Sequence, residues 1–157
     1  MFIKYYGMNL GNMKMPGLGR FDDITQDKVY DERDAVRTVL DLSAIFNYVI
    51  IGSPIITYEL NMIKNDEKRK SVIEIYRDSI KERAVYTNNI LNFVRIVLQQ
   101  ANLKNMDGFH LAFAEMTGAD VLLTTDNKFL KACSRLKLKT KVINPLNFLE
   151  IQYDSNN

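Results

Sequence analysis

Hydrophobic and polar positions alternate in blocks along this chain, and the blocks switch between short apolar runs and the three-and-four spacing of helices. Phe2-Ile3-Lys4-Tyr5-Tyr6 predicts a first strand. The stretch Gly7 to Gly19 holds four of the seven glycines and one of the three prolines, so it predicts loop. Asp22 or Asp23 can cap a helix that runs to about Phe46, with Val29, Val36, Val39 and Leu40 at helical spacing. Tyr48-Val49-Ile50-Ile51 is wholly apolar, as expected of a strand covered on both faces. Ser53-Pro54 then opens a helix, serine at the cap and proline at the first helical position.

That helix carries Ile55, Ile56, Tyr58, Glu59, Leu60, Met62 and Ile63. The polar run Asn65 to Lys70 marks a turn or a solvated helix start, and Val72, Ile73, Ile75 and Tyr76 suggest another short helix. Ala84, Leu91, Val94, Leu98 and Ala101 predict a longer one, broken at Asn102 to Asn105. Asp107-Gly108-Phe109-His110-Leu111-Ala112-Phe113-Ala114 reads as an apolar helix with an acid at its start. Gly118 stops it, and Val121 to Thr125 forms a strand with Asp126 at its end. A helix from about Asn127 to Leu136, a strand at Lys139 to Ile143 and a closing turn at Asn144-Pro145 complete the pattern. Strands alternating with helices predict an α/β three-layer sandwich around a central, mostly parallel sheet. Residues 1–150 are expected to form one domain, with residues 151–157 a disordered tail.

Composition narrows the field. The 157 residues are 46% hydrophobic and 25% charged, an ordinary globular balance. A net charge of +2 provides no global attraction to nucleic acid, so any such attraction is local. The lone cysteine, Cys133, excludes an internal disulfide and fits a reducing compartment. No apolar run approaches the length of a membrane span or a signal peptide, and a cytoplasmic location is expected.

In mostly parallel sheets ligands bind beyond the carboxyl ends of the strands. Asp126 sits at such an end, and Gly7 and Ser53 are expected at equivalent places after the first two strands. Burying the helix and strand of the Asp107 region draws Asp107 and Asp126 toward one sheet edge. Glu59 lies on the apolar stripe of a helix that begins at the same edge, where a carboxylate needs a partner. Clustered carboxylates repel, and a divalent cation relieves them. Each acid also has an ordinary reading: Asp107 answers a helix dipole, Asp126 caps a helix, Glu59 snorkels to water. His110, the sole histidine, is expected to be a satisfied core residue. Thr124 can bond the carboxylates or a phosphate, and Lys128, Lys131 and Arg135 form one basic stripe beside Asp126 that could contact a phosphate backbone or simply face solvent. No Cys/His spacing suits zinc, and no glycine-rich loop suits a nucleotide.

These residues resemble the PIN-domain family, metal-dependent ribonucleases that include the VapC-type toxins. The likeness rests on Asp107-Gly108-Phe109-His110-Leu111-Ala112 against the family's Asp-Ala-x-His-Leu-Ala, followed by Leu123-Thr124-Thr125-Asp126, then Ile143-Asn144-Pro145 and Phe148-Leu149. Ser53-Pro54 leading to Glu59 is similar to the second acidic motif, and Arg20-Phe21-Asp22-Asp23 with Glu32 resembles a subgroup loop. The resemblance implies an endoribonuclease with Glu59, Asp107 and Asp126 as ligands of Mg²⁺ or Mn²⁺. It implies RNA, a small antitoxin protein and a second copy of the chain as partners. The family's first strand ends in an aspartate ligand, and here Gly7 stands in its place. Three readings follow: Asp22, Asp23 or Glu32 substitutes; the protein binds RNA or protein without cutting; or Gly7 is an inactivating substitution in a ribonuclease that it weakens. An unrelated α/β phosphohydrolase using the same acids is the further alternative.

Overall fold

A computed structural model describes residues 1–5, 32–43 and 48–154. Their core is a five-stranded sheet in the order β3-β2-β1-β4-β5, built from β1 (Phe2–Tyr5), β2 (Tyr48–Gly52), β3 (Ile80–Arg83), β4 (Val121–Leu123) and β5 (Lys141–Ile143). The helices among the described residues are α1 (Glu32–Ser43), α2 (Pro54–Asn61), α3 (Asp66–Ser79), α4 (Asn88–Ala101), α5 (Asn105–Thr117), α6 (Asn127–Cys133) and α7 (Pro145–Asp154).

The sheet is sandwiched as the pattern predicts. Phe2 and Ile3 are neighbours on β1, both fully buried, and point into opposite layers. On the Phe2 side, Ile51 and Leu122 pack against Ile90, Val94 and Val97 of α4, Leu111 of α5 and Phe129 of α6. On the Ile3 side, Tyr48, Val121 and Leu123 pack against Val39 and Leu42 of α1 and Phe148 of α7. Val36 and Leu40, on the α1 stripe, are only partly buried. Gly108 lets α4 and α5 approach closely, because a Cβ there would stand 3.1 Å from Leu98 Cδ2. No helix among the described residues is long and apolar enough to cross a membrane.

Strand direction departs from expectation. β2 pairs parallel with β3, and β4 with β5, but β1 runs antiparallel to both its neighbours, so the sheet is mixed. Tyr5, at the carboxyl end of β1, pairs with Tyr48 at the start of β2. The carboxyl end of β1 therefore lies at the edge opposite the carboxyl ends of β2 and β4, and Met1 lies at theirs. Gly7, Asp22 and Asp23 fall outside the described residues, as does the Glu32 side chain. The physical reason for the mismatch is that a strand buried on both faces has the same apolar pattern read in either direction.

β3 also escapes the hydrophobic pattern. Ile80-Lys81-Glu82-Arg83 is an edge strand with alternating partial burial, and three of its four residues are charged. Ala84, expected on a helix, instead follows β3 and donates its amide to Gly52 O at 2.7 Å. Asn65 to Lys70 is the opening of α3, with the Asn65 side chain accepting from Lys68 N at 2.8 Å and Arg69 bridging Asp66 at 2.7 Å. Asn144-Pro145 begins α7 rather than closing the fold: the Asn144 side chain accepts from Leu146 N at 2.8 Å and proline takes the first helical position. That helix continues to Asp154, past residue 150, and α6 ends at Cys133 short of Leu136.

The Ser53-Pro54 start behaves as its chemistry requires. Ser53 Oγ accepts from Ile56 N at 3.3 Å, and Ser53 N donates to the Tyr76 hydroxyl at 3.0 Å, which ties α2 to α3. Ser53 is buried, so its alanine replacement leaves the Ile56 amide without that acceptor. Ser53→Ala is expected to destabilise the fold by about 1 kcal/mol, or roughly 3 °C in Tm at this size. Thermal denaturation checks it, with Ser53→Thr retaining most of the wild-type stability.

Candidate functional site

β2 and β4 point the same way, so the segments that follow them emerge at one edge of the sheet. α2 leaves β2 there and carries Glu59, while α6 leaves β4 there with Asp126 at its cap. α5 packs beneath α2 and presents Asp107 in its first turn, with His110 one turn later on the same face. A cleft of about 470 Å³ opens at this edge, and Met1, Glu59, Asp107, His110 and Thr124 line it. Apolar walls continue it past Leu60, Val72, Ile75 and Tyr76 toward Val36 and Leu40 of α1.

Each acid has a distinct environment. His110 Nε2 lies 2.8 Å from Glu59 Oε2, and the Glu59 side chain is 44% exposed against 15% for the histidine. The His110 ring stands edge-on to Phe2 at a centroid distance of 6.3 Å. Burial holds the imidazole pKa below its ordinary value, with the Glu59 charge opposing that shift. His110 is thus satisfied, as its context predicts, but its partner is one of the acids and it faces the cleft.

Burial raises the Asp107 carboxyl, and the negative charge of Asp126 and, more weakly, of Glu59 adds to the rise. Lys104 and His110 oppose it. Asp126 is the opposite case. Its Oδ1 accepts from Lys128 N at 2.8 Å and Phe129 N at 3.0 Å, and these two backbone bonds hold its pKa below the usual carboxylate range. The capping reading of Asp126 is therefore realised, though the cap uses only one of the two carboxylate oxygens. Thr124 Oγ1 accepts from Asp126 N at 3.2 Å and so fixes the turn that carries the acid. Lys128, Lys131 and Arg135 are all exposed, with Arg135 beyond the last residue of α6.

Glu59, Asp107 and Asp126 thus share one region of the surface, linked by mutual repulsion at Asp107. Among the described residues, no three His, Cys, Asp or Glu side chains are grouped tightly enough to hold a single ion. The donor chemistry still fits a hard divalent cation, since carboxylate oxygens are its preferred ligands and Asp107 feels the negative charge of Asp126 and Glu59. Two participants are absent from the sequence reasoning. Lys104 lies at the cap of α5, and its charge acts on both Asp107 and Asp126. The Met1 amino group donates to Leu123 O at 3.1 Å, and burial lowers its pKa to about 6 against the pull of Glu59. Lysine one turn before Asp107 was a legible signal for the first; nothing in the pattern signalled the second, which depends on the direction of β1. Cys133 lies in the core, and burial pushes its thiol up to about 12, which rules it out as a nucleophile at neutral pH.

Comparison of the chain with protein-family models, with curated proteins and with solved structures gives no match. The fold and site therefore define an α/β protein with helices on both faces of a mixed five-stranded sheet and an acid-lined cleft at one edge.

A raised carboxyl pKa has a signed consequence for stability. Because the folded state of Asp107 favours the protonated form, its contribution is present below the unfolded pKa of about 3.9 and is lost as pH rises through the higher folded value. Asp107→Asn is accordingly expected to raise Tm at pH 7, with the gain vanishing below about pH 3.9. Thermal melts across pH 3–8 check it; an unchanged or lowered Tm at neutral pH would show that Asp107 is not electrostatically strained.

Proposed function

We propose that this chain is a PIN-like, metal-dependent endoribonuclease, acting as the toxin of a toxin–antitoxin pair. The observation that carries the reading is the meeting of Glu59 and Asp107 in one cleft, with Asp126 close enough for its charge to raise the Asp107 carboxyl. Carboxylates held in this relation repel one another and are stabilised by a cation between them. The motif likeness around Asp107 and Asp126 supports the same reading.

Asp107 and Glu59 would hold Mg²⁺ or Mn²⁺, with Asp126 contributing directly or through water. A bound ion of this kind activates water and neutralises charge building on the phosphodiester. This chain's own residues do the remaining work. Lys128, Lys131 and Arg135, exposed beside Asp126, offer contacts to the phosphates of an RNA strand. Thr124 holds the Asp126 turn in place through its hydroxyl. A small antitoxin and a second copy of the chain complete the proposed setting.

One observation favours the alternative, a PIN-like module that binds RNA or protein without cutting. The carboxyl end of β1, where the family resemblance places an aspartate ligand, points away from the cleft. Metal-dependent cleavage separates the two readings. Asparagine caps a helix about as well as aspartate does, so Asp126→Asn removes charge while keeping the cap. With single-stranded RNA and Mn²⁺, the wild type is expected to cut, and Asp126→Asn to lose roughly 100-fold or more, the order reached when a stabiliser of developing charge is removed. RNA retention without cleavage by the wild type supports the binding module instead, and cleavage of small phosphoesters but not RNA supports a phosphohydrolase.

A further inference from the structure

We propose that His110 is the positioning residue for Glu59, setting where that carboxylate stands relative to Asp107. The inference rests on the nuclease reading only for the identity of the cation that the two acids would share.

α2 has no fully buried residue and meets the core through the partly buried Ile55 and Ile56, near its start, whereas Glu59 lies one turn further on and is exposed. The Glu59 side chain is nearly half exposed, and a carboxylate repelled by Asp107 would otherwise turn toward water. His110 prevents this. Its Nε2 lies 2.8 Å from Glu59 Oε2, within the range of a strong hydrogen bond to a carboxylate. An ionised carboxylate only accepts, so Nε2–H is the donor, and this holds for the imidazolium and for one neutral tautomer alike. The role therefore does not depend on whether the ring titrates.

The ring itself is anchored. It is largely buried and stands edge-on to Phe2, which is fully buried on the central strand. Asp107 and His110 lie on one face of α5, three residues apart. α5 thus supplies one acid directly and fixes the second through an arm of constant length. The bond occupies Oε2 alone and leaves Oε1 outside it. Groups that orient an ion's ligands in this way typically change metal affinity 10–100-fold when removed.

The test uses the full-length protein and Mn²⁺ as the probe. A glutamine amide nitrogen can occupy the place of histidine Nε2, whereas asparagine is too short to reach it. Mn²⁺ affinity by calorimetry is expected to fall roughly 10–100-fold in His110→Ala and His110→Asn and to stay near wild type in His110→Gln. In a Glu59→Gln background, His110→Ala is expected to have little further effect. In the metal-free protein, the ¹³C signal of the Glu59 carboxyl carbon should shift and sharpen in His110→Ala but not in His110→Gln. Equal affinity across the three His110 variants overturns the proposal, as does an equal loss in glutamine and asparagine, which marks a merely structural role. If the wild type fails to bind Mn²⁺, the nuclease reading falls and the metal-free spectra alone decide: an unchanged Glu59 signal in His110→Ala overturns the positioning role, and a freed one supports it. Should His110→Ala fail to fold, the glutamine and asparagine variants carry the same comparison.

Discussion

The structure depends on the two-sided burial of its central strand. Phe2 and Ile3 are adjacent, both fully buried, and face opposite layers, so β1 joins the two hydrophobic cores. Burial of such side chains stabilises by about 1.5–3 kcal/mol each, and both require the sheet to be covered on each face. β1 also hydrogen-bonds to β2 and β4, and this pairing sets those two strands pointing the same way. Everything at the acidic edge follows: α2 and α6 both start there because β2 and β4 both end there.

That edge is electrostatically uneven in a way that stability alone would not favour. Asp107 is partly buried and repelled by two other acids, while Lys104 and His110 answer it. Glu59 is engaged by His110, and Asp126 by two backbone amides. One acid is strained, and two are held by hydrogen bonds. The strain falls on Asp107 because burial desolvates it and, among the described residues, its carboxylate receives no hydrogen bond that offsets the loss.

Much of this was legible from local chemistry. Ser53-Pro54, Gly118 and Asp126 mark helix ends by mechanisms that involve only a few neighbouring residues, and each functions as its type requires. The acids were likewise legible as a group, since strand ends and helix starts gather at sheet edges. The same rule applied to Asn144-Pro145 would have found α7, whose cap and proline repeat the Ser53-Pro54 arrangement. β3 was not legible, because a short edge strand with one apolar residue in four has no periodic signal. The Glu59–His110 bond joins residues 51 positions apart and leaves no local trace.

By itself the sequence determined the layered α/β architecture and the helix starts after Ser53 and Asp126, because burial periodicity and capping act over short distances. Only the tertiary structure decided the direction of β1, the presence of Met1 rather than the end of that strand at the cleft, and the pairing of Glu59 with His110. The physical reason is symmetry and range. An apolar strand covered on both faces reads the same in both directions, and a contact between distant helices is fixed by how they pack, not by the residues beside either partner.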